Sequence, residues 1–531
     1  MKNIITILSS ITIGMLLLSS CGNKDYIPKD NAIKLGTAEV VVKIVNLTDK
    51  DSVSLHKISN ISIPEHLDRS TQLDLNKIDI IAVCQSIFEF DTYDNIPLTR
   101  EIGKDGNIVF RGNVPLECLF EICMVGLSYE GAQFNGISVI LNQNKLTNIE
   151  YYFKDGKFMY ANIIDENQPS TVDWWNVYDV MLNAYSMFSY LFAPTDKALY
   201  DVSWQEVRKN QYEKVFPRMM EKVQSDCSIP ESAKKWLINN LKWRFAISAI
   251  LQYTYVAKEV TDKDYAEPPM EAYSYLDSID YSPDVFLMKT VIISPRIFLN
   301  SLLKYPCGGF EAIRETPVKE WKEKLSEWLA PAMKERPKLL LDLLAGTSYY
   351  QQIEENQPLS DVQKRNIEEG FTDDIGKIVL KRNEKLEEAL SQKVNLQDLS
   401  EQTFSLQEFI DSKYPGKPVV VDMWNTWCGP CLQAMKQTED IKGDYADSDL
   451  VFLYVSDTSS NEKEWENRAR LTGGEQVRIN EESKNALMDK YSLDGFPSYL
   501  FFDKGHKLIH AQTAFPGLDR YRVLLDQITG K

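Results

Sequence analysis

From residue 37 to about 165, short apolar runs rich in β-branched and aromatic residues alternate with turn-forming residues. The runs are Glu39–Val45, Lys77–Val83, Asn107–Phe110, Glu117–Val125, Gly136–Leu141 and Asn148–Phe153. Asp105–Pro115 (DGNIVFRGNVP) has the form of a turn feeding a strand. This pattern predicts an antiparallel β-sandwich over 37–165. Glu117–Val125 reads as a single strand, with Cys118 and Cys123 on its opposite faces, which argues against a disulfide within it. From 166 to 395 the apolar spacing changes to three and four residues, as in Ser232–Val260 and Val318–Glu335, and predicts an α-helical domain. Seven Trp lie in this region, Trp174, Trp175, Trp204, Trp236, Trp243, Trp321 and Trp328, and most of them are expected in the core rather than in a ligand groove. Pro268–Pro269 and Pro306–Gly309 divide the region into several helices. From 396 to 531 strand and helix patterns alternate, which predicts an α/β domain.

The first residues carry a different pattern. Met1–Lys2 is followed by an apolar stretch, Ile4–Leu18, and then by Leu18-Ser19-Ser20-Cys21. Fifteen residues fall short of the roughly 20 needed to span a bilayer, and the run fits a secretory signal. The sequence L-S-S-C resembles the lipobox of bacterial lipoproteins. That resemblance implies a signal peptide over 1–20, lipid attached to Cys21 and a tether over 21–36. It also implies a protein held at a membrane and facing the periplasm, where disulfide chemistry is permitted.

Composition narrows the remaining options. The chain has 531 residues, 44% hydrophobic and 26% charged, a length suited to about three domains. A net charge of -18 opposes a nucleic-acid partner. Four His and no second CxxC give no metal site and no zinc hydrolase. Eight Cys in this length do not form a disulfide scaffold. Cys84, Cys118, Cys123, Cys227 and Cys307 sit mostly in apolar contexts and are expected to be core thiols, with a redox relay within the chain as the alternative.

Lys417–Trp424 (KPVVVDMW) is a continuous apolar run suited to a buried parallel strand. It leads directly into Asn425-Thr426-Trp427-Cys428-Gly429-Pro430-Cys431 and then a helical pattern. Free N–H groups and partial positive charge at a helix start favour a thiolate at Cys428. Cys431 falls on the same face and can close a disulfide with it.

W-C-G-P-C resembles the thioredoxin active site, and W-N-T-W-C-G-P-C resembles the membrane-tethered oxidoreductases of the TlpA/ResA type. The upstream strands resemble the β-domain that precedes thioredoxin domains in Bacteroidetes lipoproteins. The resemblance implies a thioredoxin fold over 396–531, in which Cys428 attacks and Cys431 resolves. It makes Asp422 the buried carboxylate that handles the proton, with a raised pKa from desolvation. It makes Phe496-Pro497 the cis-proline step facing the pair, with Trp427 as the other part of the substrate platform. Gly429 and Pro430 complete the motif. No cofactor is implied; the partners are protein thiols and disulfides, with a membrane electron donor. Two departures are Lys436 after Met435, where that group carries proline, and Phe496 before Pro497. A binding or scaffold lipoprotein, with the redox domain auxiliary, is the alternative function, because three quarters of the chain lies upstream.

Overall fold

The computed structural model describes residues 30–47, 73–84, 86–88, 94–103, 106–129, 132–133, 137–164, 213, 216–226, 231–251, 268–287, 295–391, 394–445 and 448–531. The signal segment, Cys21, Trp174, Trp175, Trp204 and Cys227 lie outside the described residues. The chain divides into two compact units, 1–348 with 365–378, and 349–364 with 379–531.

The first unit opens with two sheets. One has the order β10 (Lys157–Ile163), β9 (Leu146–Lys154), β1 (Ile33–Leu47), β5 (Ile108–Cys118), β4 (Thr99–Ile102). The other has β3 (Asp94–Pro97), β2 (Ile78–Cys84), β6 (Phe120–Tyr129) and β7 (Ala132–Gln133), with β8 (Ile137–Asn142) also on β6. β1 begins inside the segment expected to be tether. Its alternation buries Ala38, Val40, Val42 and Ile44, which meet Ile80, Ala82, Val125 and Leu127 of the other sheet in one core. The Tyr151 hydroxyl crosses between the sheets and donates to the Val125 carbonyl at 2.6 Å.

Two expectations need correction. The sandwich is mixed, because β1 and β9 pair in parallel from Glu39↔Leu146 to Leu47↔Lys154. Alternation reports burial of one face and says nothing of strand direction. Glu117–Val125 is also not one strand. The chain leaves β5 at Cys118 and enters β6 at Phe120, passing from one sheet to the other at Leu119. The buried Glu121 carboxylate holds this corner by accepting the Glu117 N–H and, at 2.8 Å, the Cys118 N–H. Cys118 and Cys123 therefore stand on different strands of different sheets.

The longer described helices between 216 and 391 are α1 (Phe216–Ser225), α2 (Glu231–Leu251), α3 (Pro295–Lys304), α4 (Val318–Leu329), α5 (Lys338–Glu354), α6 (Asp361–Gly370) and α7 (Ile375–Ser391). α4 buries Val318, Trp321, Leu325 and Leu329, the stripe expected from its spacing. Trp236 and Trp243 are buried, and Trp243 meets Phe286 edge-on with centroids 4.7 Å apart. These rings are packing elements, as expected. Sheets and helices join within this unit. The Leu35 N–H donates to Asp374 at 2.8 Å, and the Phe88 ring lies where a Cβ on Gly346 would meet it at 2.6 Å. No helix among the described residues is long and apolar enough to cross a membrane.

The second unit contains a six-stranded sheet, ordered β11 (Asn395–Asp398), β14 (Glu475–Ile479), β13 (Val451–Asp457), β12 (Val419–Met423), β15 (Ser498–Phe502), β16 (Leu508–Thr513). β11, β14, β13 and β12 pair in parallel, whereas β15 and β16 run antiparallel. All five residues of β12 are buried, as its unbroken apolar run requires. α8 (Leu406–Lys413) and α11 (Glu481–Tyr491) pack Leu406, Ile410 and Leu487 into one core of this sheet. α9 (Gly429–Asp444) and α12 (Leu518–Thr529) bring Ile441, Leu524 and Leu525 into a second. α10 (Glu462–Thr472) adds Trp465 and Ala469 to a third, the cluster that contains both motif cysteines.

Candidate active site

β12 delivers the chain to Cys428, which is the N-cap of α9. Cys428 and Cys431 are closed as a disulfide, with Cα atoms 5.3 Å apart. Cys428 Sγ also accepts the Cys431 N–H at 3.2 Å, so a helix N-terminal donor already points at this sulfur. That donor would stabilise the thiolate produced when the disulfide opens. Cys428 retains 4% of its surface and Cys431 none, which leaves the first sulfur as the one an outside thiol or disulfide can reach. Gly429 and exposed Pro430 form the first turn, where a missing proline N–H costs no helical bond.

The platform residues gather beside the pair. Phe496-Pro497 is a cis peptide bond, and Phe496 packs on the cluster containing Cys428 and Cys431. Trp427 is 60% exposed, unusual for so large a ring, and meets Phe496 edge-to-face with centroids 5.8 Å apart. Together they make an aromatic flank to the disulfide. The side chain of Lys436 lies outside the described residues.

Asp422 is the fourth of the five residues of β12, with Tyr454 and Tyr499 as its register partners on either side. Burial pushes its carboxyl up to about 8, against the opposing pull of the Lys442 ammonium. The Tyr499 hydroxyl lowers it slightly, although neither that hydroxyl nor Asp422 Oδ1 forms a hydrogen bond of normal geometry among the described residues. Lys442 is itself held below its usual range by burial; its Nζ donates to the Thr472 carbonyl at 2.7 Å and sits 4.8 Å from the Tyr454 ring centre. No hydrogen bond joins Asp422 to either motif sulfur among the described residues. Its place is one strand segment behind them.

Two groups at the site had no strong sequence signal. Lys442 stands three helical turns beyond Cys431 on the same face of α9, a spacing visible only once the helix is known. The loop before Cys428 is fixed by Asn425, which is fully buried. Its Oδ1 accepts from Ser460 Oγ at 2.8 Å and from the Asp457 N–H at 3.2 Å, while its Nδ2 donates to Asp457 Oδ2 at 3.1 Å. Ser460 Oγ accepts the Thr426 N–H at 3.0 Å, and Trp427 Nε1 donates to Ser459 Oγ at 2.9 Å. Truncating Asn425 leaves several buried polar groups unpaired. We expect Asn425→Ala to lose about 2 kcal/mol of stability in urea titrations of the purified chain.

Residues 416–508 match the thioredoxin-like family. This part of the chain is thioredoxin-like, and it holds the Cys428–Cys431 disulfide. An uncharacterised protein of Haemophilus influenzae is 28% identical over 137 residues, which cover 25% of this chain and 85% of that protein. The thioredoxin-like protein YneN of Bacillus subtilis is 40% identical over 75 residues, covering 14% of this chain and 41% of that protein. Among solved structures, the thioredoxin domain of a thiol–disulfide oxidoreductase from Bacteroides vulgatus is 21% identical, covers 24% of this chain and 85% of that chain, and has a TM-score of 0.20. These three matches each cover a quarter of this chain or less.

Proposed function

We propose that this protein is a membrane-anchored thiol–disulfide oxidoreductase of the periplasm that reduces protein disulfides through Cys428 and Cys431. It is read as a lipoprotein of the TlpA/ResA-like type, tethered through Cys21 and supplied with electrons by a membrane donor. The observation that carries the reading is the disulfide at a helix N-terminus, nearly buried but flanked by exposed Trp427 and cis Phe496-Pro497. In the reduced form, the Cys428 thiolate attacks a substrate disulfide, releases one substrate thiol and leaves a mixed disulfide. Cys431 then attacks Cys428, closes the internal disulfide and releases the second substrate thiol. Asp422 ionises near pH 8, and its carboxylate then accepts the Cys431 proton as that thiol becomes a nucleophile. The anchor rests on the Leu18–Cys21 motif.

Turnover of a disulfide-bonded protein by the prereduced full chain tests the activity. Radiolabelled palmitate incorporated in cells, and lost in Cys21→Ala, tests the anchor. Protein turnover without label would remove the lipoprotein reading alone. Trp427→Ala separates platform from scaffold: stability stays within about 0.5 kcal/mol, while kcat/KM for a protein disulfide falls roughly tenfold. An unchanged kcat/KM would remove Trp427 from the platform.

A further inference from the structure

The first unit holds a second pair of sulfurs. β2 and β6 run antiparallel with Ile78↔Tyr129 through Val83↔Met124 in register. The next step of that register sets Cys84 directly opposite Cys123, and their Sγ atoms are 3.6 Å apart. Both side chains join the core face, in line with buried Ile80 and Ala82 on β2 and Val125 and Leu127 on β6. Directly opposed residues of an antiparallel pair have Cα atoms roughly 4.5–5.5 Å apart, inside the range of about 4.4–6.8 Å that disulfides span. That spacing leaves the two sulfurs within reach of a disulfide.

We propose that Cys84 and Cys123 are a second redox pair, closing as a reversible cross-strand disulfide in the β-sandwich. The two ends differ in access: Cys84 is half-buried at the end of its strand, whereas Cys123 is 1% exposed. This sets the order of events. The Cys84 thiolate attacks a small-molecule disulfide, forms a mixed disulfide and expels one thiol. Cys123 then loses its proton and attacks the Cys84 sulfur, expelling the second thiol. The protein gives up two electrons and two protons, and the small-molecule disulfide becomes two thiols. The inference stands apart from the direction in which Cys428–Cys431 operates.

The test uses the full wild-type chain, prereduced and then incubated with oxidised glutathione. The reaction is quenched with acid, free thiols are alkylated under denaturing conditions, and the digest is mapped by mass spectrometry. The expected product is a peptide containing Cys84 linked to one containing Cys123, reversed by dithiothreitol. The melting temperature of the first unit should rise by roughly 5–10 °C in the oxidised form. Both thiols alkylated while Cys428–Cys431 is closed would overturn the proposal, as would linkage of either to Cys118 or Cys307. Cys123→Ser should stall with glutathione on Cys84; an unmodified Cys84 in that variant would overturn the assigned order. If the variant does not fold, mapping of the wild-type chain decides the pair by itself.

Discussion

Cys428→Ser is expected to lower turnover of a protein disulfide at least about a thousandfold. The serine oxygen cannot form the mixed disulfide, and no other described sulfur combines a helix N-terminus with the exposed flank of Trp427 and Phe496. Cys431→Ser should behave differently. The first attack proceeds, but nothing resolves it, so substrate accumulates on Cys428 as a covalent adduct visible on non-reducing gels. The contrast is the informative part. General unfolding would abolish both activity and adduct, whereas loss of one step retains the adduct. Turnover by Cys428→Ser at even a tenth of the wild-type rate would place the chemistry elsewhere.

Asp422→Asn is expected to stabilise the protein at alkaline pH, by about 3–5 kcal/mol at pH 9. Folding raises the carboxyl from its ordinary value near 4 to about 8. Between those values the folded chain holds a proton that the unfolded chain has released. The wild-type protein should therefore be most stable below about pH 4 at this site and lose that contribution as pH rises through about 8. Asparagine removes the slope, so the two proteins converge near pH 4 and separate above it. Urea titrations at several pH values measure this directly. The activity should move the other way. Wild-type turnover rises as Asp422 ionises near pH 8, and the variant should lose both that inflection and most of the rate. A variant with wild-type stability at pH 9 would mean that Asp422 is not a buried carboxyl held neutral.

Much of the second unit was legible because its chemistry is local. Five consecutive buried residues of β12 announce a central strand, and Cys428 and Cys431 sit at the helix start that follows. Phe496-Pro497 was readable through resemblance alone, since no local pattern distinguishes a cis proline. The first unit was less legible because its decisive features are long-range. The parallel pairing of β1 with β9 joins residues about a hundred positions apart, beyond the reach of alternation. The corner at Leu119 depends on a charged side chain, Glu121, turning inward to cap backbone N–H groups. A run such as ECLFEICMV gives no sign of that, and its misreading separated Cys118 and Cys123 onto faces of a strand that does not exist. At the site, Asn425 is one polar residue after an apolar strand, and its partners Asp457 and Ser460 come from the end of another strand and the turn beyond it. The alternative of a binding lipoprotein with an auxiliary redox domain draws its weight from the size of the first unit. Activity retained by a chain lacking both motif sulfurs would favour it.

The most direct measurement is the reduction potential of the Cys428–Cys431 pair in the full chain, equilibrated with glutathione or dithiothreitol buffers and followed by alkylation of those two sulfurs. A reductase should equilibrate reversibly, near the roughly −270 mV of thioredoxin and away from the roughly −120 mV of a strong oxidant. A pair that exchanges with neither buffer, or whose potential lies below about −300 mV, would be a structural staple and would contradict dithiol exchange as the function of this site.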